Sequence, residues 1–214
     1  MTVRRYGAER RARGAAAGAL VLVLALALTA CGGDSGDGAD VAKETIPATQ
    51  VCGGLSPKAA RALEQISETE KFEDRYYDSA DTLKARLHDA DRRGGDKPAT
   101  CVIKPDVADP DESPSKMTVI FEEVERVPAP QPPAVALTTL PVGLLAEGDD
   151  AQADLWFACE VPGVGKPVVH GQLLYGNRPR DLDPREANLR VLQDLSHRLA
   201  LAMGCPRAGD VPAY

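Results

Sequence analysis

The sequence predicts an α+β domain: a mainly antiparallel sheet of about four strands, with two or three helices packed on one face and two disulfides. Three observations predict it. Apolar residues recur at helical spacing in three separate segments. Strand-like runs accompany them, and in the second half two such runs with a period of two are joined by turn-forming residues. Four widely separated cysteines follow residue 50, an even number suited to a two-bridge framework. The stretch 51–206 is one domain's worth of chain.

The first half opens with Cys52-Gly53-Gly54-Leu55-Ser56-Pro57, in which Ser56 is a good N-cap and Pro57 suits the first helical position. Ala59, Leu63 and Ile66 then repeat at helical spacing. A second helix is predicted over 79–92, with Ala80, Leu83, Leu87 and Ala90 on one face and Gly94-Gly95 ending it. Cys101-Val102-Ile103 reads as a strand, and a loop rich in Pro and Asp leads to a longer strand from Met117 to about Glu125. Pro128-Ala129-Pro130-Gln131-Pro132-Pro133 makes a stiff, extended connector, since each proline fixes φ and removes a donor.

In the second half, Leu155, Phe157, Cys159 and Val161 share one strand face, leaving Trp156 on the other. Pro162-Gly163-Val164-Gly165 is turn material, and Val169, Gly171, Leu173 and Tyr175 alternate in a returning strand. Asp183-Pro184-Arg185-Glu186 starts the last helix. Leu189, Leu192, Leu195, Leu199 and Met203 line its buried side, and Asp194 with Arg198 is expected as an exposed i,i+4 pair. Gly204 ends it, directly before Cys205.

These placements predict the pairing. Cys159 lies on the apolar face of its strand, and Cys205 sits at the end of a helix able to cover it. Cys52 stands ahead of the first helix, and Cys101 shares a strand face with Ile103. The expected bridges are therefore Cys52 with Cys101 and Cys159 with Cys205. Each closes a loop whose constraint is worth roughly 4 kcal/mol in the chain-entropy model. A zinc site is the rival reading of the four cysteines, but no C-x-x-C or H-x-x-x-H spacing occurs.

Residues 1–30 read as a removable export leader. Arg4, Arg5, Arg10, Arg11 and Arg13 form a positive head, and the apolar run from Ala15 to Leu28 is too short to span a bilayer. Leu28-Thr29-Ala30-Cys31 closes it, and the small acidic residues of 31–50 suit a flexible tether. The tetrapeptide resembles a bacterial lipobox. That resemblance implies a diacylglycerol on the Cys31 sulfur, cleavage before Cys31 and anchoring at the outer face of the cytoplasmic membrane. An exported chain also meets conditions in which disulfides persist. Without the leader, 20 basic and 31 acidic residues remain, a net charge of −11. So acidic a chain is unsuited to nucleic acid, leaving the membrane, through Cys31, and an unidentified extracytoplasmic ligand or envelope protein as expected partners.

Motifs for chemistry fail on inspection. Gly165-Lys166 lacks the phosphate-loop glycine, because Glu160 holds that position and Pro167 replaces the Ser or Thr. Asp109-Pro110-Asp111-Glu112 lacks calcium-loop spacing, and no G-x-S-x-G elbow is present. His88, His170 and His197 fall on outward-facing positions of their predicted elements. No catalytic residue, cofactor or metal is therefore assigned. Trp156, the one tryptophan, is the candidate binding surface if its face is open, and a core residue if the strand is covered on both sides.

Lipobox, Gly-Asp-Ser tether, Cys-Gly-Gly-Leu helix start and a Trp-Phe-Ala-Cys strand facing a helix that ends Gly-Cys together resemble the small lipoproteins of unknown function of streptomycetes and related actinobacteria. More loosely, the chain is similar to the two-disulfide extracellular sensor domains of mycobacterial receptor kinases. The resemblance implies Cys31 lipidation and the four paired cysteines, with no catalytic residues to carry over. The long acidic loop between the first two strands departs from it. The expected function is a non-enzymatic, lipid-anchored binding or sensor-accessory module. The alternative is an envelope hydrolase using carboxylates in a cleft.

Overall fold

A computed structural model describes residues 44–73, 79–93, 99–106, 116–129, 137–160, 165–175 and 183–214; for 88–93 it describes the backbone alone. The leader, Cys31, the Gly94-Gly95 stop, the 107–115 part of the acidic loop, connector residues 130–133, the turn at 161–164 and the His88 side chain lie outside the described residues.

Eight strands and three α-helices are described: β1 Thr45–Pro47, α1 Pro57–Ser67, β2 Lys71–Glu73, α2 Ala80–Arg93, β3 Ala99–Ile103, β4 Met117–Val124, β5 Thr138–Thr139, β6 Leu145–Gly148, β7 Gln152–Ala158, β8 Val168–Tyr175 and α3 Arg185–Met203. The α+β class holds, but about four strands is too few. The main sheet has six, in the order β3-β4-β8-β7-β6-β5, and β1 with β2 forms a separate ribbon. Every neighbouring pair is antiparallel. The missed strands are two to four residues long, too short to carry a period of two. β1 and a 3-10 helix at Ala48–Gly53 also lie within or run on from the stretch expected as tether.

The helices begin where their caps foretell. The Ser56 hydroxyl accepts the Ala59 amide (3.2 Å), with Pro57 as first helical residue. A carboxylate oxygen of Asp183 accepts the Arg185 amide (3.2 Å), and Pro184 already has helical angles. At the other end Gly204 takes the left-handed conformation (φ 74°) that closes α3.

Strand periodicity then builds the core. Met117, Val119 and Phe121 of β4, Leu155 and Phe157 of β7, and Val169 and Leu173 of β8 are all buried on one face. The helices cover that face. α3 lies against β6, β7 and β8, α2 against β3, β4 and α3, and α1 against α3. Gly171 permits a close approach of sheet and helix: a Cβ there would stand 2.8 Å from the Phe121 ring and 3.2 Å from the Ser196 hydroxyl of α3.

Both disulfides form as expected. Cys52–Cys101 ties the segment before α1 to β3, and Cys159–Cys205 ties the end of β7 to the residue after Gly204. They span 49 and 46 residues, so each closes a long loop.

The expected Asp194–Arg198 pair forms, but its acid is buried. Asp194 is 1% exposed at its side chain. Its Oδ2 accepts from Arg198 (3.2 Å) and from the backbone amide of Ser56 (2.9 Å), linking α3 to the start of α1. The chain after α3 folds back along it. His197 Nδ1 donates to the Val211 carbonyl (2.7 Å), so this ring is not merely solvent-facing, and Gln193 donates to the Pro212 carbonyl (2.8 Å). Ser56 donates to the Tyr214 carbonyl (2.7 Å), while the Arg190 guanidinium lies 4.6 Å from the Tyr214 ring centre.

Candidate functional site

The face of the sheet turned away from the helices carries the alternate residues of the same strands. Glu122 of β4 stands opposite His170 of β8, and His170 stands opposite Trp156 of β7. In the next row Ile120 faces Gln172, Gln172 faces Asp154, and Asp154 faces Glu147 of β6. Side chains directly opposite or diagonal on one face are within reach of each other. Register alone therefore assembles an acid–imidazole–indole cluster from residues 122, 154, 156 and 170.

The cluster is tightly built. The imidazole stacks on the indole, with ring centres 4.4 Å apart and planes 4° from parallel. Its Nδ1 lies 3.1 Å from Glu122 Oε1, and its Nε2 lies 2.8 Å from Asp154 Oδ1. The same Asp154 oxygen accepts from Gln172 Nε2 at 3.0 Å. An ionised carboxylate only accepts, so satisfying both contacts requires a hydrogen on each ring nitrogen, which is the imidazolium. Burial pushes against that charge. The bonds to Asp154 and Glu122, and the negative charge of both, outweigh it and hold His170 above its ordinary value of 6.5. A cationic ring over an indole face gains further by cation–π attraction.

Trp156 therefore combines features of both expectations. It lies on the outer face, as its phase predicts, yet it is only 7% exposed because neighbours, His170 among them, enclose it. His170 also points outward as expected, although no sequence pattern joins it to Asp154 and Glu122. The signal was present in part: Trp156 and His170 are both out of phase with the apolar residues of their strands. Their register could not be read, since the connection between β7 and β8 is long.

Chemically the cluster is a brace. Both imidazole nitrogens are engaged, so neither is available to take a substrate proton without giving up a carboxylate. Among the described residues no group of three or more His, Cys, Asp and Glu is arranged to hold a metal ion. Cys52, Cys101, Cys159 and Cys205 are consumed in disulfides and offer no thiol. Comparison with protein-family models, with curated proteins and with solved structures finds no match.

Proposed function

We propose that this chain is a lipid-anchored extracytoplasmic lipoprotein, held through Cys31 at the outer face of the cytoplasmic membrane, whose α+β domain is a non-enzymatic module binding a ligand or an envelope protein. The observation that carries the reading is the use of the cysteines. Two long-range bridges take four of the five and suit an oxidising compartment. The fifth cysteine, Cys31, stands at the one position where a lipobox needs a thiol. No helix among the described residues is long and apolar enough to cross a membrane, so a lipid at Cys31 supplies the attachment in this reading.

The outer sheet face around Trp156 is the proposed contact surface. Its central groups are fixed by cross-strand bonds, which suits recognition by a preorganised surface. The hydrolase alternative draws less support, because Asp154 and Glu122 are both committed to His170. Cys31→Ser tests the anchor: the variant is expected to remain a full-length precursor or to leave the membrane fraction. A processed Cys31→Ser protein retained normally in washed membranes would refute it.

A further inference from the structure

We infer that Glu122, His170 and Asp154 form a protonation-dependent clamp across β4, β8 and β7, closed while the imidazole carries two protons and released on the Glu122 side when it carries one. The geometry determines which side opens. A neutral ring keeps a single N–H and must leave one carboxylate facing a lone pair. Asp154 is the more costly to abandon. Its side chain is 10% exposed against 53% for Glu122, and its contact is shorter, 2.8 Å against 3.1 Å. A buried carboxylate without its donor loses far more than one that can turn to water. Gln172 also pins the Asp154 oxygen that His170 uses, whereas Glu122 has no such second holder among the described residues. The remaining proton therefore stays on Nε2, and Glu122 swings away from Nδ1.

The surroundings favour the closed form. The charged groups facing the ring are Glu122 from β4 and Asp154 from β7, with Glu147 of β6 paired to Asp154 one strand further on. Glu123 turns to the Gly165 amide, and Lys166 donates to the Glu123 carbonyl (3.2 Å). No basic side chain is bonded to Glu122 or Asp154 among the described residues apart from His170. Loss of the proton takes the three-residue cluster from a net charge of −1 to −2 in the middle of the outer face. Release frees the link to β4 while β7 and β8 stay joined, so the device changes both charge and local rigidity.

The test is a titration of the full oxidised chain carrying isotope-labelled histidine, followed by long-range proton–nitrogen NMR, with the His170 signals assigned by their loss in His170→Gln. The expected result is a midpoint above 6.5 and, on its basic side, a neutral ring protonated at Nε2. Glu122→Gln, at a half-exposed position, should lower the midpoint and leave the Nε2–H tautomer in place. Asp154→Asn should lower the midpoint and shift the neutral ring away from that tautomer. A wild-type midpoint at or below 6.5, a neutral ring protonated at Nδ1, or a midpoint unmoved by Glu122→Gln would each overturn the clamp.

Discussion

The two faces of the six-stranded sheet are made from the same strands by opposite means. The inner face holds Val119, Phe121, Leu155, Phe157, Val169 and Leu173, all sealed beneath helices. Their interaction is non-directional, and it depends on volume and on the helices staying in place. The outer face holds Glu122, His170, Asp154 and Gln172 in bonds of defined length and direction. A slip of one residue would exchange the two sets, placing charges under α3, so each face enforces the register of the other. Stability belongs mainly to the inner face, and fixed directional bonds and charge belong to the outer.

That division implies unequal costs of substitution. Phe121→Ala empties a fully buried site beside Gly171 and should lose about 3–5 kcal/mol, whereas Thr118→Ala, on the outer side of the same strand, should stay within about 0.5 kcal/mol. Urea denaturation of both variants checks the contrast, and similar losses would break it. Replacing Cys159 and Cys205 together by alanine comes next, at about 2–5 kcal/mol, because α3 would no longer be fastened to the end of β7. Non-reducing peptide mapping of the parent should return the Cys159–Cys205 peptide. Gly171→Ala should cost about 1–3 kcal/mol by overpacking, since its new methyl meets the Phe121 ring and Ser196 together.

The same contrast explains how much was legible in the sequence. Helix starts were readable because caps are local: Ser56-Pro57 and Asp183-Pro184 each carry their signal within a few residues. Cysteine pairing was readable because strand phase and helix stops placed the partners at facing ends. Thr138–Thr139 and Thr45–Pro47 were not, since so short a strand is selected by its neighbour rather than by its own pattern. Asp194 was misplaced for a related reason. The i,i+4 rule concerns a helix's own neighbours, but the decisive partner, the Ser56 amide, comes from 138 residues away. The outer-face cluster was hidden at the same level. Trp156 could be assigned a face, but only register joins it to His170, and His170 to residues 122 and 154.

The outer face should reveal itself through pH more than through size. His170 is held above 6.5 when folded and sits near that value when unfolded. The folded state therefore binds the proton more tightly, so the contribution is fully present below about 6.5. It is lost as pH rises through the raised folded value. His170→Gln removes this dependence, so the gap between parent and variant in urea midpoint should be wider at pH 6 than at pH 9. A gap that is constant, or wider at pH 9, would mean that the ring is not stabilised as a cation.

The smallest expected effect concerns an exception within the inner layer. Asn188 of α3 is completely buried, yet neither of its amide atoms has a hydrogen-bond partner among the described residues, and the buried Ser196 hydroxyl is in the same position. On the outer face, by contrast, both nitrogens of His170 are partnered. A buried amide that forms no bond has given up its hydration without recompense, and replacing it with an apolar side chain of similar size is nearly neutral or favourable. Asn188→Leu should accordingly leave stability unchanged or raise it by about 1 kcal/mol, visible as an equal or higher urea midpoint with an unchanged slope. Leucine fits the apolar company of the helix, whose neighbouring Leu189 and Leu192 are fully buried. A loss above about 1 kcal/mol would show that the amide is satisfied in solution, for instance by a buried water, because removing the amide would then leave that partner's own bonds unmade. The helical layer would in that case hold a second buried polar site besides the carboxylate of Asp194.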